Sequence, residues 1–354
     1  MRVAEIRSLT GLRAVAALGV YLNHFGNPAW FPNGLHNLQT NGGFGVSFFY
    51  VLSGFVLTLT YAKSDLNLRT YFVKRISRIL PTYWFGLFLA FVYVSLDSLD
   101  FGKVFLVHFL GLQSWFLDSD LGLHFNGPGW SISVEMFFYL LFPLLLTTLI
   151  KGKTFSQRWQ AVLVLAMIIS IVPFFIHLYF LGPLQGIQNA YIWPPLLPVH
   201  YLGSFILGMC GYQFSYLSSY LKKHPSLRGL LCDVSILVFL LVLVFVNFED
   251  PENPLLAIAA QFWLLGLPSV CILVVLTVAP TSLSSRLLSC RPVWFAGKCS
   301  MVFYLIHVPT TWWIQLVFPS AGYELRFVLV ACLTVIAHLC IENPANRFIQ
   351  KILI

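Results

Sequence analysis

Four groups of side chains in this sequence have the type and spacing for chemistry. Residues 8–25, SLTGLRAVAALGVYLNHF, place Arg13 and His24 eleven positions apart in an apolar run. On a helix that is almost three turns, so both side chains share a face about 16 Å apart along the axis. Between them the face carries only the small residues Ala17 and Val20. A neutral imidazole suits general-base work near pH 7, and an arginine grips anions through its planar fork. The competing reading is an interfacial anchor at Arg13 and a carbonyl-bonded ring at His24. The second group is Arg75 and Arg78 in YFVKRISRILP, on one face at i, i+3, with Pro81 near the start of the expected span. Two such guanidiniums either clamp a phosphorylated ligand or anchor the chain to lipid. Third, NGPGWSISVEMFFYLLFPLL sets Ser131, Glu135 and Tyr139 at i, i+4, i+8, a polar stripe on an apolar helix. A carboxylate in such a place needs a cation, a donor or its own proton, so Glu135 is either part of a reacting centre or a bridge between helices. Fourth, VWFAGKCSMVFYLIHVPTTWW carries a similar stripe of Ser300, Tyr304 and His307. No histidine pair has the spacing of H-E-x-x-H, and no metal is expected.

The elements that must position these groups are membrane helices. Of 354 residues 58% are hydrophobic and only 10% charged, more apolar surface than a soluble domain of this length can bury. The expected fold is all-α: one polytopic transmembrane domain over residues 1–354. About ten spans are expected, near 8–26, 43–62, 79–97, 130–150, 160–181, 196–218, 230–247, 255–279, 293–317 and 325–341. The shorter run 101–116 reads as interfacial or re-entrant. With both termini cytoplasmic, all of the 21 Lys and Arg residues except Lys103, Lys298 and Arg326 fall on inner segments. The outer segments hold Asp97, Asp100, Asp118, Asp120, Glu249, Asp250, Glu252 and Glu324, as the positive-inside rule requires. This orientation sets Arg13, Arg75 and Arg78 at the inner surface and His24, Glu135 and His307 at one outer depth. The N-terminus has no A-x-A-like site and Arg13 interrupts its apolar core, so no cleaved signal peptide is expected. The seven cysteines lack C-x-x-C spacing and read as buried free thiols. Gly42, Gly43, Gly45 and Gly54 read as close helix packing, with Ser53 a hydroxyl within the span.

Six stretches, in this order, resemble the membrane-bound acyltransferase-3 family. They are SLTGLRAVAAL with the histidine eleven residues after Arg13, FFYVLSGF, Arg75-x-x-Arg78, WSISVE with FYLLFP, FYLIHVP and IENPANRF. The resemblance covers essentially the whole chain. It implies transfer of an acyl group, commonly acetyl from acetyl-CoA, to a hydroxyl of a cell-surface carbohydrate or lipid-linked glycan. It also implies that His24 is catalytic and that the arginines serve the donor. Ser47 stands where an acidic residue is common, and Met136-Phe137 replace the more usual Glu-Gln. Unlike in some members, no appended extracytoplasmic hydrolase-like domain is expected.

The expected mechanism follows from depth. The CoA nucleotide stays at the inner face with Arg13, Arg75 and Arg78, and its pantetheine arm threads past Ala17 and Val20 toward His24. His24 acts as general base or forms an acyl intermediate, Glu135 orients it, and His307 or Tyr304 donates to the oxyanion. Trp130, Ser131 and Tyr304 are the expected substrate contacts. Outer Trp30, Phe31, Trp115, Tyr191 and Trp193 either stack on a sugar or form an interfacial belt. The expected partners are acyl-CoA, a glycan acceptor and the lipid bilayer, with no nucleic acid, in a bacterial inner (plasma) membrane. Two rivals use the same residues without chemistry: a flippase for a lipid-linked sugar, which internal symmetry would favour and which this sequence lacks, and a pH-sensing receptor, which leaves the inner arginines unexplained.

Overall fold

The computed structural model describes residues 5–32, 34–91, 101–116, 119–151, 162, 164–169, 197–217, 224–246 and 265–354. Every regular element among them is helical, as the composition demands. In chain order the helices are α1 (Arg7–Phe25), α2 (His36–Thr40), α3 (Gly45–Tyr61), α4 (Leu68–Ala90), α5 (Phe101–Phe109), α6 (Ser119–Leu123) and α7 (Trp130–Leu145). They continue with α8 (Leu202–Leu217), α9 (Pro225–Phe245), α10 (Gly266–Val278), α11 (Leu283–Ser289), α12 (Arg291–Val317), α13 (Tyr323–Ala337) and α14 (Asn343–Leu353).

Four stretches are long and apolar enough to cross a membrane: His36–Tyr61, Gly127–Ile150, Ser226–Phe245 and Tyr323–Leu353. A fifth arises if α10 and α11, bent by 84°, count as one broken span. The expected ten are therefore not reached among the described residues. Helices α1, α4 and α12 are long enough, but Arg13, the Lys74–Arg75–Arg78 group and Lys298 sit in them with many hydroxyl groups. Most of the expected span 160–181, the end of 79–97 and the start of 255–279 lie outside the described residues, as do Tyr191 and Trp193.

The helices sort into two compact units. The first comprises residues 1–65, 144–179 and 200–298. Its centre is the crossing of α3 and α8, where backbones touch. A Cβ on Gly54 would stand 2.1 Å from the Phe205 carbonyl oxygen, and one on Gly208 2.0 Å from that of Val51. Small residues are what allow that approach, as the glycine pattern predicts. The turn that follows α2 ties neighbouring ends together: the Asn41 amide donates to the Leu243 and Val246 carbonyls at the end of α9 at 2.9 and 2.6 Å. All seven cysteines are free thiols; Cys210, Cys232 and Cys299 are buried, whereas Cys271, Cys290, Cys332 and Cys340 are exposed. Cys271, Cys332 and Cys340 lie on outward faces of helical turns and Cys290 in the link between α11 and α12, which the sequence's uniform hydrophobicity does not distinguish from inward positions.

The second unit comprises residues 66–143, 180–199 and 299–354. Helix α4 begins earlier than expected, at Leu68, because the Asn67 side chain accepts from the Thr70 amide and caps it. Pro81 is consequently inside the helix, not near its start. The polar side of α14 packs on α4 through Asn346 and Gln350. The Ser77 hydroxyl donates to Asn346 at 2.8 Å and accepts from Gln350 at 3.2 Å. Between α13 and α14 a π-helical turn (His338–Glu342) closes on itself, with His338 Nδ1 2.5 Å from the Glu342 carboxylate.

Candidate active site

Prolines shape the second unit's polar interior. A helical proline has no N–H for the carbonyl four residues back, so that carbonyl must find another donor. In α7, Pro143 releases the Tyr139 carbonyl, which accepts from the buried Tyr71 hydroxyl of α4 at 3.1 Å. In α12, Pro309 releases the Leu305 carbonyl, which accepts from Asn126 Nδ2 at 2.8 Å. Gly86 of α4 makes room there: its Cβ would stand 2.8 Å from Asn126 Nδ2 and 2.9 Å from the Leu305 oxygen. These two locks hold α4, α7 and α12 side by side.

The locked helices bring the two polar stripes together. On α7 the Tyr139 hydroxyl donates to Glu135 at 2.5 Å, so the carboxylate has the donor that its position required. The Arg75 guanidinium lies 5.6 Å from the Tyr139 ring centre and 6.0 Å from that of Tyr71, within cation–π reach. Arg78 also acts electrostatically on Tyr139. Both arginines are half-buried, unlike their neighbour Ile76. Further along, the Tyr304 hydroxyl donates to the Pro128 carbonyl at 3.4 Å, shares a hydrogen bond with Ser131 and feels the charge of Glu135. Ser131 also donates to Pro128, at 2.9 Å. Ser300 is 1% exposed, and its hydroxyl oxygen has no partner among the described residues.

His307 is buried, and its Nδ1 lies 2.6 Å from the Tyr304 carbonyl. A carbonyl can only accept, so Nδ1 carries the proton and Nε2 is the lone-pair nitrogen of the neutral ring. A neutral His307 thus presents an acceptor, and donates to an oxyanion only as imidazolium. Tyr304 has its hydroxyl in either state. Trp130 is half-buried at the start of α7, where its carbonyl accepts from the Ser114 hydroxyl at 2.8 Å. The structure therefore assembles Arg75, Arg78, Glu135, Tyr139, Ser131 and Tyr304 into one polar lane, with His307 beside it.

Arg13 and His24 belong to the first unit. His24 is exposed at the last turn of α1, a turn held from outside: Gln39 Nε2 donates to the Leu22 and Gly26 carbonyls at 3.2 and 2.9 Å. The Asn23 amide donates to the Thr40 carbonyl at 2.7 Å. The face between Arg13 and His24 is not an open lane, since Ala17 is 3% and Val20 1% exposed. Val20 packs on α3, its Cγ2 only 3.0 Å from where a Cβ on Gly45 would stand. At the other end of α1 the Trp294 indole donates to Glu5 at 2.9 Å, with Arg7 5.1 Å and Lys298 4.4 Å from its ring centre.

Sequence reasoning missed Tyr71, Asn126 and Gln39, the groups that do the positioning. The prolines at 143 and 309 are a signal that two donors exist. Which side chains supply them depends on helix packing.

The family model described as "Acyltransferase domain" matches residues 6–342. Among curated proteins, O-acetyltransferase OatA of Staphylococcus aureus is 24% identical over 96% of this chain and 57% of its own length. The putative peptidoglycan O-acetyltransferase YrhL of Bacillus subtilis is 29% identical over 86% of this chain and 48% of its own. Acyltransferase MdmB of Streptomyces mycarofaciens is 32% identical over 49% of this chain and 47% of its own. The chain thus spans about half the length of the curated relatives it matches. No solved structure matches. With the motifs spread from α1 to the turn before α14 and the match running across nearly all of them, the chain belongs to the acyltransferase-3 family of membrane proteins.

Proposed function

We propose that the protein is a membrane O-acetyltransferase that moves an acetyl group from acetyl-CoA, held at the cytoplasmic face, to a hydroxyl of an extracytoplasmic glycan. The observation that carries this reading is the polar lane from Arg75 through Tyr139 and Glu135 to Tyr304, inside helices that are otherwise apolar. Polar groups at such depth are costly and mark a site or a pathway. The names of the S. aureus and B. subtilis relatives support acetyl as the group, and the B. subtilis relative's name, a putative peptidoglycan O-acetyltransferase, supports a wall glycan as the acceptor class.

In this reading both termini are cytoplasmic, and Arg75, Arg78 and Arg13 hold the phosphates of the donor. His24, exposed on a fixed turn, takes the proton from the acceptor hydroxyl as its oxygen attacks the thioester carbonyl. Tyr304 donates to the oxygen that becomes negative, and CoA leaves as a thiolate that recovers the proton. Glu135, held by the Tyr139 hydroxyl, is the group proposed to orient His24. The test is CoA release from acetyl-CoA by the purified full chain in lipid nanodiscs, with a glycan acceptor. Thioester consumption dependent on acceptor and absent in His24→Ala supports the reading. Movement of a lipid-linked sugar without thioester consumption replaces it with the flippase.

A further inference from the structure

The stripe on α12 does not stop at His307. Thr311 and Gln315 continue it outward at successive i+4 steps, on the same side of the helix as Ser300 and Tyr304. Thr311 is internal, its hydroxyl donating to the His307 carbonyl at 2.7 Å. Gln315 is exposed and opens onto a pocket of about 510 Å³ lined by His124, Trp312, Gln315 and Leu316. That volume is in the range of small-molecule sites. All four residues lie in the second unit, at the end of α12 remote from Arg291. The two adjacent tryptophans have different duties. Trp313 donates its indole N–H to the Leu89 carbonyl at 2.9 Å and fixes α12 to α4, whereas Trp312 lines the pocket.

We propose that this pocket is a subsite for one pyranose ring of the glycan acceptor, with Trp312 as the platform and Gln315 and His124 reading the ring's hydroxyls. The chemistry fits a sugar in three ways. An indole offers a flat apolar face to the C–H side of a pyranose. A side-chain amide donates and accepts, and so does a neutral imidazole, which matches hydroxyls that do both. Leu316 adds an apolar, uncharged side chain to the lining. An interfacial belt tryptophan needs only lipid and water beside it, and neither an amide nor an imidazole across a cavity belongs to that duty. Gln315 also lies eight residues, about 12 Å, along α12 from His307. Measured along α12, a ring in this pocket is therefore about two sugar units from His307, the distance expected of a subsite that holds a polymer while another unit reacts.

The proposal rests on the acetyltransferase reading for the identity of the acceptor, and its test separates the two. Binding of chitotetraose and of maltotetraose to the purified full chain in nanodiscs is measured by saturation-transfer NMR, without donor. At least one glycan is expected to bind, and Trp312→Ala to weaken it about tenfold or more, as truncation of an aromatic anchor does. Trp312→Phe, which keeps a ring, is expected to retain most of the binding, and Gln315→Ala to lose less than Trp312→Ala. No binding of either glycan by wild type, or equal binding by Trp312→Ala, overturns the proposal. CoA release is followed in parallel with the glycan as acceptor. Binding lost in Trp312→Ala while wild type releases no CoA leaves the pocket standing and removes the acetyltransferase reading. Normal transfer with an unchanged KM for glycan in Trp312→Ala does the reverse.

Discussion

Replacing His24 with alanine removes an exposed imidazole from a turn whose hydrogen bonds run through Leu22, Asn23 and Gly26, and so leaves those bonds in place. Turnover is expected to fall about 10²–10⁴-fold, the usual cost of a lost general base, with insertion and thermal stability unchanged. Near-normal turnover by the folded variant removes His24 from the mechanism. For Arg75→Ala and Arg78→Ala the quantity to measure is the donor's dissociation constant. A charge-assisted hydrogen bond contributes on the order of 1.5–3 kcal/mol, so donor binding should weaken roughly tenfold to a hundredfold. Lysine should restore only part of it for want of the planar fork. Unchanged donor affinity with lower expression would make these arginines lipid anchors. At this scale the sequence was informative, because ionisable groups in apolar helices stand out by type and spacing alone. It put Glu135 and Tyr139 on one stripe and expected Glu135 to serve His24; that Tyr139 is the donor to Glu135, and that Glu135 acts on Tyr304, needed α7 and α12 to be placed side by side.

Helices in the second unit are held where prolines have stripped a carbonyl of its donor. Asn126→Leu should destabilise the protein by about 1–3 kcal/mol, the cost of leaving the Leu305 carbonyl buried and unpaired. Pro309→Ala returns an N–H to that carbonyl, so adding it to Asn126→Leu should recover much of the loss. Additive losses in a double-mutant cycle, read by thermal unfolding, would show that the two residues are not coupled. In the first unit, Gln39→Leu removes the two side-chain bonds that brace the end of α1, and turnover per folded molecule should fall while donor affinity stays as in wild type. A loss confined to thermal stability would make Gln39 a purely structural cap. Elements were legible where apolar runs were long, and less so at their ends. Pro81 invited a helix start at the next span, yet Asn67 starts α4 more than three turns earlier, since its cap outweighs a proline that the helix absorbs. The small Ala17 and Val20 suggested a passage, and α3 fills it, because small residues serve close packing as readily as a channel.

Within the second unit, the polar groups run along α12 from Ser300 through Tyr304 and His307 to Gln315, where the pocket beside Trp312 opens. The span count was the least legible property. Composition marks a helix as apolar, but charged and polar residues lower its hydropathy, so α1, α4 and α12 read as weaker spans than their neighbours. The short helix α5, too short to cross, gives a pH response of the whole fold. Its buried His108 lies 2.6 Å from the Leu121 carbonyl, and burial pushes its imidazole down to about 4, against the opposing effect of that bond and assisted by nearby His124. The unfolded chain keeps the usual 6.5. Between those values the unfolded state takes up a proton that the folded state refuses, so stability is full above about 6.5 and declines as pH falls toward 4. His108→Gln should flatten that part of the stability profile, measured by melting temperature against pH. An unaltered slope would assign the acid sensitivity to other groups.

The proline locks also leave a mark on descent. Pro143 with Tyr71 and Pro309 with Asn126 each form a bargain between distant positions, and either partner changed alone strands a buried carbonyl or a buried side chain. Such pairs are inherited together or abandoned together. A lineage that trades Pro309 for a residue with an N–H releases Asn126 to drift, and Gly86, freed from the crowding beside it, to acquire a side chain. Related sequences should therefore show positions 86, 126 and 309 changing as a set, with 71 and 143 as a second set that varies independently of the first.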